Sequence, residues 1–487
     1  MKRREFLGGT AGLAGLALPG VSLAESRPCP PGEFGVSAGG TVATTCTAAG
    51  EAPAWFLDMP ERTWQVVAAG AVRTDLSPNR RGQRLNDVKV DPVSGASVGM
   101  TGSGWSPTIA WTGAAVDQRR RELILAANGG HGDGMDNGVY ICQLGADVPR
   151  WHRAVDPTPD AYLVSQYWKY NQVAVYKDGR PVSVHGWHKE VFGNGRVWYV
   201  GQDSTAGPSS FTGGIVSWNR DFAGEDPSAW PIRHTTANLG GWQTHGVILP
   251  NQEGPPDGSC GPSCYDPVGN KIWGFSETIE TPRYWSVDAA TGAVTRYSTS
   301  MGGGRFNAGA AWAACAHDAN GAGKPGVVIV NALYTVADRE KGTARQCVYV
   351  LDLQNPGRGL VEKVTTPTLA WGGQLSDGDP SIVFQPRYGA VYHAPSRAIL
   401  VYDPSMGLGN NIRKLNIPAD PIGGQYTWET VTPASGGVDV KYPSQWRGAY
   451  SKFNLIEDMG NGQGALVLVT DTFGPVYVYR LPKGPLA

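Results

Sequence analysis

The residues able to do chemistry are histidines, tyrosines, arginines and tryptophans set in glycine-rich stretches. His131 stands behind two glycines in Ala126-Ala-Asn-Gly-Gly-His131-Gly-Asp133-Gly-Met-Asp136-Asn137-Gly-Val-Tyr140. Short apolar runs flank that stretch, so it reads as a strand, a loop carrying an imidazole at its tip, and a second strand. His185 follows Asp178-Gly-Arg180-Pro in a similar setting, after Tyr162, Tyr167, Lys169 and Tyr170. Later long connections contribute Trp242 and His245, Glu277 and Arg283, Arg305 and Asn307, Trp371, and Trp446 with Arg447. Tryptophan and tyrosine faces stack on sugar rings, and arginine holds a carboxylate through two parallel hydrogen bonds. Histidine and tyrosine exchange protons. The combination suits a polysaccharide substrate bearing carboxylate or sulfate. We assign His131, His185 and Tyr167 as catalytic candidates, with Tyr162 and Tyr170 as alternative phenols. Arg180, Trp242, His245, Arg283, Arg305, Trp446 and Arg447 are the substrate-binding candidates.

Each candidate has a structural alternative. His131 divides evenly between contact with substrate and holding its own loop backbone. His188 alternates with Trp187 and reads as a packed histidine, His152 as a surface one, and His317 and His393 as structural. Asp133 and Asp136 read as turn caps; calcium is the one cation they suggest, although their spacing does not match the twelve-residue calcium loop. No metal or other cofactor is expected. Of seven cysteines, Cys29 with Cys46 and Cys260 with Cys264 are spaced for disulfides. A zinc site at Cys260 and Cys264 would need further ligands, for which His245 is the one neighbour. The odd number leaves a thiol for a buried strand.

Lys and Arg total 41 against 42 Asp and Glu, a net charge of -1. That balance argues against a nucleic-acid binder, which needs a basic surface. No internal apolar run reaches the length of a membrane span. The N-terminus, Met1-Lys-Arg-Arg-Glu-Phe-Leu followed by an apolar stretch and Ser22-Leu-Ala24, reads as a twin-arginine export signal. Residues 1–24 are then the signal, 25–58 an extended segment and 59–487 the folded domain, periplasmic or secreted.

The elements that must position these residues are short strands. With 67 Gly, 17 Trp and 19 Tyr, the chain suits many strands joined by tight turns. From residue 106 a four-strand unit recurs, its first strand often ending in an Asp turn and its second strongly apolar. The first strands read as 107–111, 184–188, 263–267, 309–313, 389–393 and 450–454. Fourth strands include 150–152 and 230–233. The sixth unit lacks a fourth strand, and the early run Thr63–Ala68 supplies it. The expectation is an all-β propeller of about six blades, with 155–184 or 367–388 able to hold a seventh, closed by its N-terminal strand. Connections from second to third strands and from one blade to the next leave one face. The longest stretches, such as 70–105, 155–183 and 235–258, fall there, so the chemistry should gather on that face.

Gly129-Gly-His131, Asn137-Gly-Val-Tyr140, Asp178-Gly-Arg-Pro-Val-Ser-Val-His185 and Gly474-Pro-Val-Tyr-Val-Tyr-Arg-Leu resemble the bacterial kelch and galactose-oxidase-like propellers over roughly residues 60–485. Among these the chain is compared first with secreted propeller polysaccharide lyases of the ulvan lyase kind. That resemblance implies β-elimination at a uronate. A His/Tyr pair would remove the C5 proton and protonate the leaving oxygen, and Arg and His would neutralise the carboxylate, held here by His131, Arg180, His245 and Arg305. Tyr392-His393 is similar to copper ligands of galactose oxidase, but the other ligands are missing. Two readings from other classes stand beside it. A glycoside hydrolase would use carboxylates such as Glu277, Asp203 and Asp133. A non-catalytic glycan- or protein-binding propeller would need only the loop aromatics.

Overall fold

In a computed structural model, the described residues are 51–68, 113–126, 137–159, 162, 175–176, 178–181, 186, 188–202, 214–232, 237–247, 262–275, 283–298, 304–305, 312–332, 334–335, 347–366, 389–402, 409–440, 449–469 and 475–486. A short helix, α1 (Ala54–Asp58), precedes strand β1 (Trp64–Ala68). Blade 1 is then β2 (Ala115–Asp117), β3 (Glu122–Ala126), β4 (Val139–Gln143) and β5 (Trp151–Val155). Blade 2 is β6 (Glu190–Gly193), β7 (Arg196–Gln202), β8 (Gly214–Asn219) and β9 (Trp242–Val247). Blade 3 is β10 (Ser263–Asp266), β11 (Lys271–Phe275), β12 (Arg283–Asp288) and β13 (Val294–Ser298). A two-stranded ribbon, β14 (Gly304–Arg305) and β17 (Tyr334–Thr335), brackets part of blade 4, which is β15 (Ala313–Ala316), β16 (Val327–Ala332), β18 (Cys347–Asp352) and β19 (Leu360–Val364). Blade 5 is β20 (Gly389–His393), β21 (Ala398–Tyr402), β22 (Ile412–Asn416) and β23 (Thr427–Val431). Blade 6 is β24 (Phe453–Ile456), β25 (Ala465–Val469), β26 (Val476–Arg480) and the returning β1.

Every blade is an antiparallel meander, and each innermost strand neighbours that of the next blade until β24 meets β2. The protein is a six-bladed β-propeller, closed as expected by β1 on β26 with Trp64 opposite Tyr479 and Val66 opposite Tyr477. Burial follows position in the blade. The second strands β3, β21 and β25 are buried at all five residues. They lie between two neighbouring blades, so both faces are covered and their sequences are continuous apolar runs. The outermost strands β19 and β23 keep exposed residues on their free face. Trp64, fully enclosed, packs between Tyr402 and Tyr479 and donates from Nε1 to the Asn410 carbonyl at 3.0 Å. It thereby ties blade 5 to the closing strand.

The Asp turns are present. Asp117 Oδ1 accepts from the Arg119 and Arg120 amides after β2, Asp266 Oδ1 from Val268 after β10, and Asp352 Oδ1 from Gln354 after β18. Each carboxylate satisfies backbone donors that the reversing chain leaves unpaired. At Gly274 a Cβ would lie 2.4 Å from Trp285 Nε1, so only glycine admits the indole on the adjacent strand.

Several inner strands lie further along the chain than expected. Blade 1 begins at Ala115, whereas 107–111 lies outside the described residues. Blade 2 begins at Glu190, after His188, and blade 4 at Ala313. In blade 6 Tyr450–Lys452 is a 3-10 turn, and the strand starts at Phe453. The fourth strand of blade 2 is Trp242–Val247 and not 230–233. Pro231 has no N–H for a ladder. The Trp230 indole instead packs edge-on to His152 of blade 1 and under the Arg220 guanidinium. The chain then turns through Gly240 and Gly241, both at positive φ, and pairs Trp242 with Trp218. The candidate seventh-blade segments form no blade among the described residues.

Candidate functional site at the mouth of the central channel

All six innermost strands start on one face, where the connections from second to third strands and from blade to blade also emerge. At this mouth the approach to β6 carries His188 and Lys189 and its first residue is Glu190, all buried. The approach to β24 carries Tyr450 and Lys452, also buried. Ring closure brings these two approaches together. The His188 imidazole meets the Tyr450 ring edge-on, with centroids 5.3 Å apart. Tyr450 holds φ at +46°, a backbone state that costs a non-glycine residue energy and persists where the surroundings demand it. Its carbonyl lies where a Cβ on Gly389 of blade 5 would be 2.5 Å away, so blade 5 abuts this turn closely.

His188 is 5% exposed, and its Nε2 has no hydrogen-bond partner among the described residues. Burial pulls its pKa down to about 3, so the ring is neutral at ordinary pH. Glu190, next but one, accepts the Ala126 amide at 2.9 Å, and the Tyr199 hydroxyl donates to the Ala126 carbonyl. Burial, then Glu190, drives that hydroxyl's pKa well above the phenol range. The segment carrying His131 therefore leaves blade 1 from a point clamped to blade 2. It returns at Asn137, which donates to Thr158 Oγ1 and the Pro181 carbonyl, both at 2.8 Å, and accepts the Thr158 amide at 2.7 Å.

Of the sequence-derived candidates, His131, His185, Tyr167, Trp446 and Arg447 lie outside the described residues. So do Glu277, Asp203 and Asp133. Arg283 opens β12 and Arg305 lies in β14; their side chains are outside the described set. The other three belong to the scaffold. Arg180 is fully enclosed, its Nε on Asp178 Oδ2 at 2.9 Å and a terminal nitrogen on the Asp156 carbonyl at 2.5 Å. These two nitrogens hold the connection between blades 1 and 2, and the other terminal nitrogen has no partner among the described residues. Trp242, on β9 and not in a loop, is 4% exposed in the core between those blades. His245 lies on the same strand, stacked on Trp198 at 4.7 Å with Nε2 2.8 Å from Ser217 Oγ. Burial first, then Arg196, brings its pKa down to about 4. His393 is structural as expected, with Nδ1 2.7 Å from Ser396 Oγ. Cys264, paired on sequence with Cys260, is a buried free thiol, as are Cys142 and Cys315.

Sequence reading missed Tyr450 and the two buried lysines. One signal was available: Lys189 and Lys452 each sit at the start of an apolar inner strand, where a lysine is seldom fully buried without a purpose. Among the described residues no group of three His, Cys, Asp or Glu side chains could hold a metal, and no helix is long and apolar enough to cross a membrane.

No protein-family model matches the sequence, and no curated protein sequence matches it. Solved structures do match. TolB from Acinetobacter baumannii shares 12% identity over 72% of this chain and 61% of its own, with a TM-score of 0.29; the chain thus spans about three fifths of that protein. The Malassezia sympodialis allergen Mala s 1 shares 10% over 82% of this chain and 95% of its own, with a TM-score of 0.38. An α-L-arabinofuranosidase of Fusarium graminearum shares 10% over 77% and 93%, with a TM-score of 0.34. At these identities and scores the likenesses carry nothing about activity.

Proposed function

We propose that this chain is an exported carbohydrate-active enzyme that cleaves an acidic polysaccharide by β-elimination at the channel mouth. The observation that carries the reading is the meeting of His188 and Tyr450. A neutral imidazole and a phenol, 262 positions apart in sequence (450 − 188), stand ring to ring on approaches that also carry the buried Lys189 and Lys452. β-Elimination needs those parts. A base takes the C5 proton of a uronate, the C5 electron pair forms the C4–C5 double bond, the C4–oxygen bond breaks, and an acid protonates the departing oxygen. The C5 proton is acidic enough only when the adjacent carboxylate is neutralised by donors or positive charge at the site. His188 is in its proton-accepting form, and a carboxylate bound beside it raises its basicity. Tyr450 is the phenol that returns a proton to the leaving oxygen. Lys189 and Lys452 are the basic side chains carried on the same two approaches. In the same proposal His131, His185 and Tyr167 act at this mouth. His185 precedes His188 by three residues, and the His131 segment is anchored at Ala126 and Asn137. The twin-arginine signal read at the N-terminus would carry the enzyme to where such polymers are met.

The test is incubation of the full chain with a panel of polyuronates, read at the ultraviolet absorbance of an unsaturated uronate. His188→Gln and Tyr450→Phe should each lower the rate about 10²-fold or more while unfolding cooperatively, as expected for loss of a proton-transfer group. New reducing ends without that absorbance would shift the case to hydrolysis, and retention of glycan without turnover to a binding propeller.

A further inference from the structure

Connections from third to fourth strands leave the face opposite the mouth, and one of them is unlike the rest. In blades 1, 3, 4 and 5 they span 144–150, 289–293, 353–359 and 417–426, whereas in blade 2 the chain runs from 220 to 241 before β9 begins. Long connections in a compact domain usually serve a function. The described parts of this one, 220–232 and 237–241, are fastened down. Arg220 holds Glu122, the Trp230 indole donates to the Ala223 carbonyl at 2.5 Å, and the Ile232 amide donates to the Ala154 carbonyl of blade 1 at 2.8 Å. Asn219 and Asn238 accept the Asp221 and Gly240 amides on their side-chain oxygens. The Phe222 ring rests on Gly241, where a Cβ would come within 2.7 Å of it and φ is +86°, so only glycine serves there. Between this connection and the starts of β7 and β9 lies a cleft of about 430 Å³, whose lining includes Arg196, Asn219, Asp221, Phe222, Gly241 and Gln243. Sites for small ligands usually measure about 300–1,000 Å³.

Arg196 is held in place from behind. One terminal nitrogen donates to Ser217 Oγ at 3.1 Å, and that oxygen lies 2.8 Å from His245 Nε2. His245 is neutral at ordinary pH, so the hydroxyl accepts from Arg196 and has its own proton for the imidazole. The remaining guanidinium donors make no hydrogen bond among the described residues. Burial lowers the Arg196 pKa, with Asp221 acting the other way. Asp221 Oδ1 accepts from Arg120 and Arg119 at 2.5 and 3.4 Å. The amino group of Asn219 and the exposed amide of Gln243 make no hydrogen bond among the described residues. The cleft thus offers a guanidinium fork and two primary amides as donors, a carboxylate and an amide oxygen as acceptors, and an aromatic ring as a wall. A hydroxyl both donates and accepts, so a ring bearing adjacent hydroxyls satisfies both sets at once and can lay its apolar face against Phe222. A simple anion would meet Asp221, and a simple cation Arg196. We propose that this cleft is a second saccharide site, which binds a neutral sugar residue on the face away from the mouth. Its occupant differs from a uronate in charge, and the site owes nothing to His188 or Tyr450.

The experiment titrates cellobiose, maltose, lactose, xylobiose and mannobiose into the full chain, read by calorimetry and saturation-transfer NMR, with D-glucuronate and inorganic sulfate as charged controls. At least one disaccharide should bind, and neither anion should displace it. Arg196→Gln should weaken that sugar about tenfold or more, the loss of a hydrogen bond to a charged group. Gln243→Ala should weaken it about threefold, the loss of a neutral one. The Gln243 side chain is exposed, so its removal should leave the unfolding midpoint unchanged. His188→Gln should leave the affinity unchanged. A purely structural Arg196 would lower the midpoint and leave sugar affinity alone. Binding of none of the five sugars, or unaltered affinity in both cleft variants, would overturn the saccharide site. So would binding of the anions through Arg196 without any disaccharide, which would make the cleft an anion site. If no polyuronate is cleaved yet a disaccharide binds and both cleft variants weaken it, the elimination reading falls and the saccharide site stands. If cleavage depends on His188 while both cleft variants keep full sugar affinity, the saccharide site falls and the elimination reading stands.

Discussion

The neutral state of His188 has a measurable cost at acid pH. The ring is 5% exposed and its pKa is held down to about 3 by burial, against 6.5 for a free imidazole. Above pH 6.5 neither the folded nor the unfolded ring carries a proton, and the histidine makes no pH-dependent difference. As pH falls through 6.5 the unfolded chain binds a proton that the folded chain refuses, so stability is lost progressively until the folded pKa is reached. At pH 5 the solution lies about 1.5 units below the unfolded pKa and still above the folded one. At about 1.36 kcal/mol per unit the loss relative to pH 8 is about 2 kcal/mol, rising toward roughly 5 kcal/mol by pH 3. The perturbation is His188→Gln, which keeps a polar side chain of similar reach and cannot titrate. The assay is urea unfolding of both proteins at pH 8 and pH 5. His245 and His393, also lowered to about 4, destabilise both proteins alike, so the comparison isolates His188. Whatever the substitution costs at pH 8, the fall between the two pH values should be smaller in the variant by about 2 kcal/mol. An identical fall in both would show that His188 is hydrated or paired in solution. That would refute the buried neutral imidazole on which the proton-accepting role depends.

The remaining predictions concern the frame that holds the mouth. Arg220 of blade 2 grips Glu122 of blade 1 with two hydrogen bonds of 2.6 and 2.8 Å, both side chains buried. Arg220→Met should cost about 3–5 kcal/mol by stranding the carboxylate, and Arg220→Met with Glu122→Leu should restore most of it. For the unit Ala49–Ala487 an unfolding entropy of about 0.9 kcal/mol/K converts that loss to a midpoint fall of about 3–5 °C by calorimetry. A double variant no better than the single would count against the pair as a buried clamp. Trp64→Ala removes the enclosed indole that joins the closing strand to Tyr402 and Asn410 and should cost about 3–5 kcal/mol. Proteolysis should then open the chain first around β1, whereas unaltered protection of that strand would contradict the closure.

How far each level was legible depends on the range of the interactions behind it. The blades were readable because their signals are local. Leu123-Ile-Leu-Ala and Ala398-Ile-Leu-Val are continuous apolar runs because both faces of a second strand are covered, and Asp117, Asp266 and Asp352 mark reversals through bonds to amides two or three residues on. The missing fourth strand of the last unit and the spare Thr63–Ala68 run together implied the closed ring. The inner strands were harder. β2 has three residues, too few to show a period, and β6 begins at Glu190, later than the run read at 184–188. The fourth strand of blade 2 was settled by long-range pairing of Trp218 with Trp242 and by the N–H that Pro231 lacks.

By itself the sequence determined the class of side chain available for chemistry, the propeller class with about six blades and the closing strand, since these follow from composition, turn residues and the order of apolar runs; that no seventh blade forms among the described residues came from the structure. Only the tertiary structure decided which of those side chains meet. Arg180 looked like a free cation until Asp178 and Asp156 enclosed it, and Trp242 and His245 looked like loop residues until register placed them on β9. His188 looked like ordinary packing until ring closure set it against Tyr450. The physical reason is that a propeller joins residues hundreds of positions apart around one axis, and no local pattern encodes who stands opposite whom.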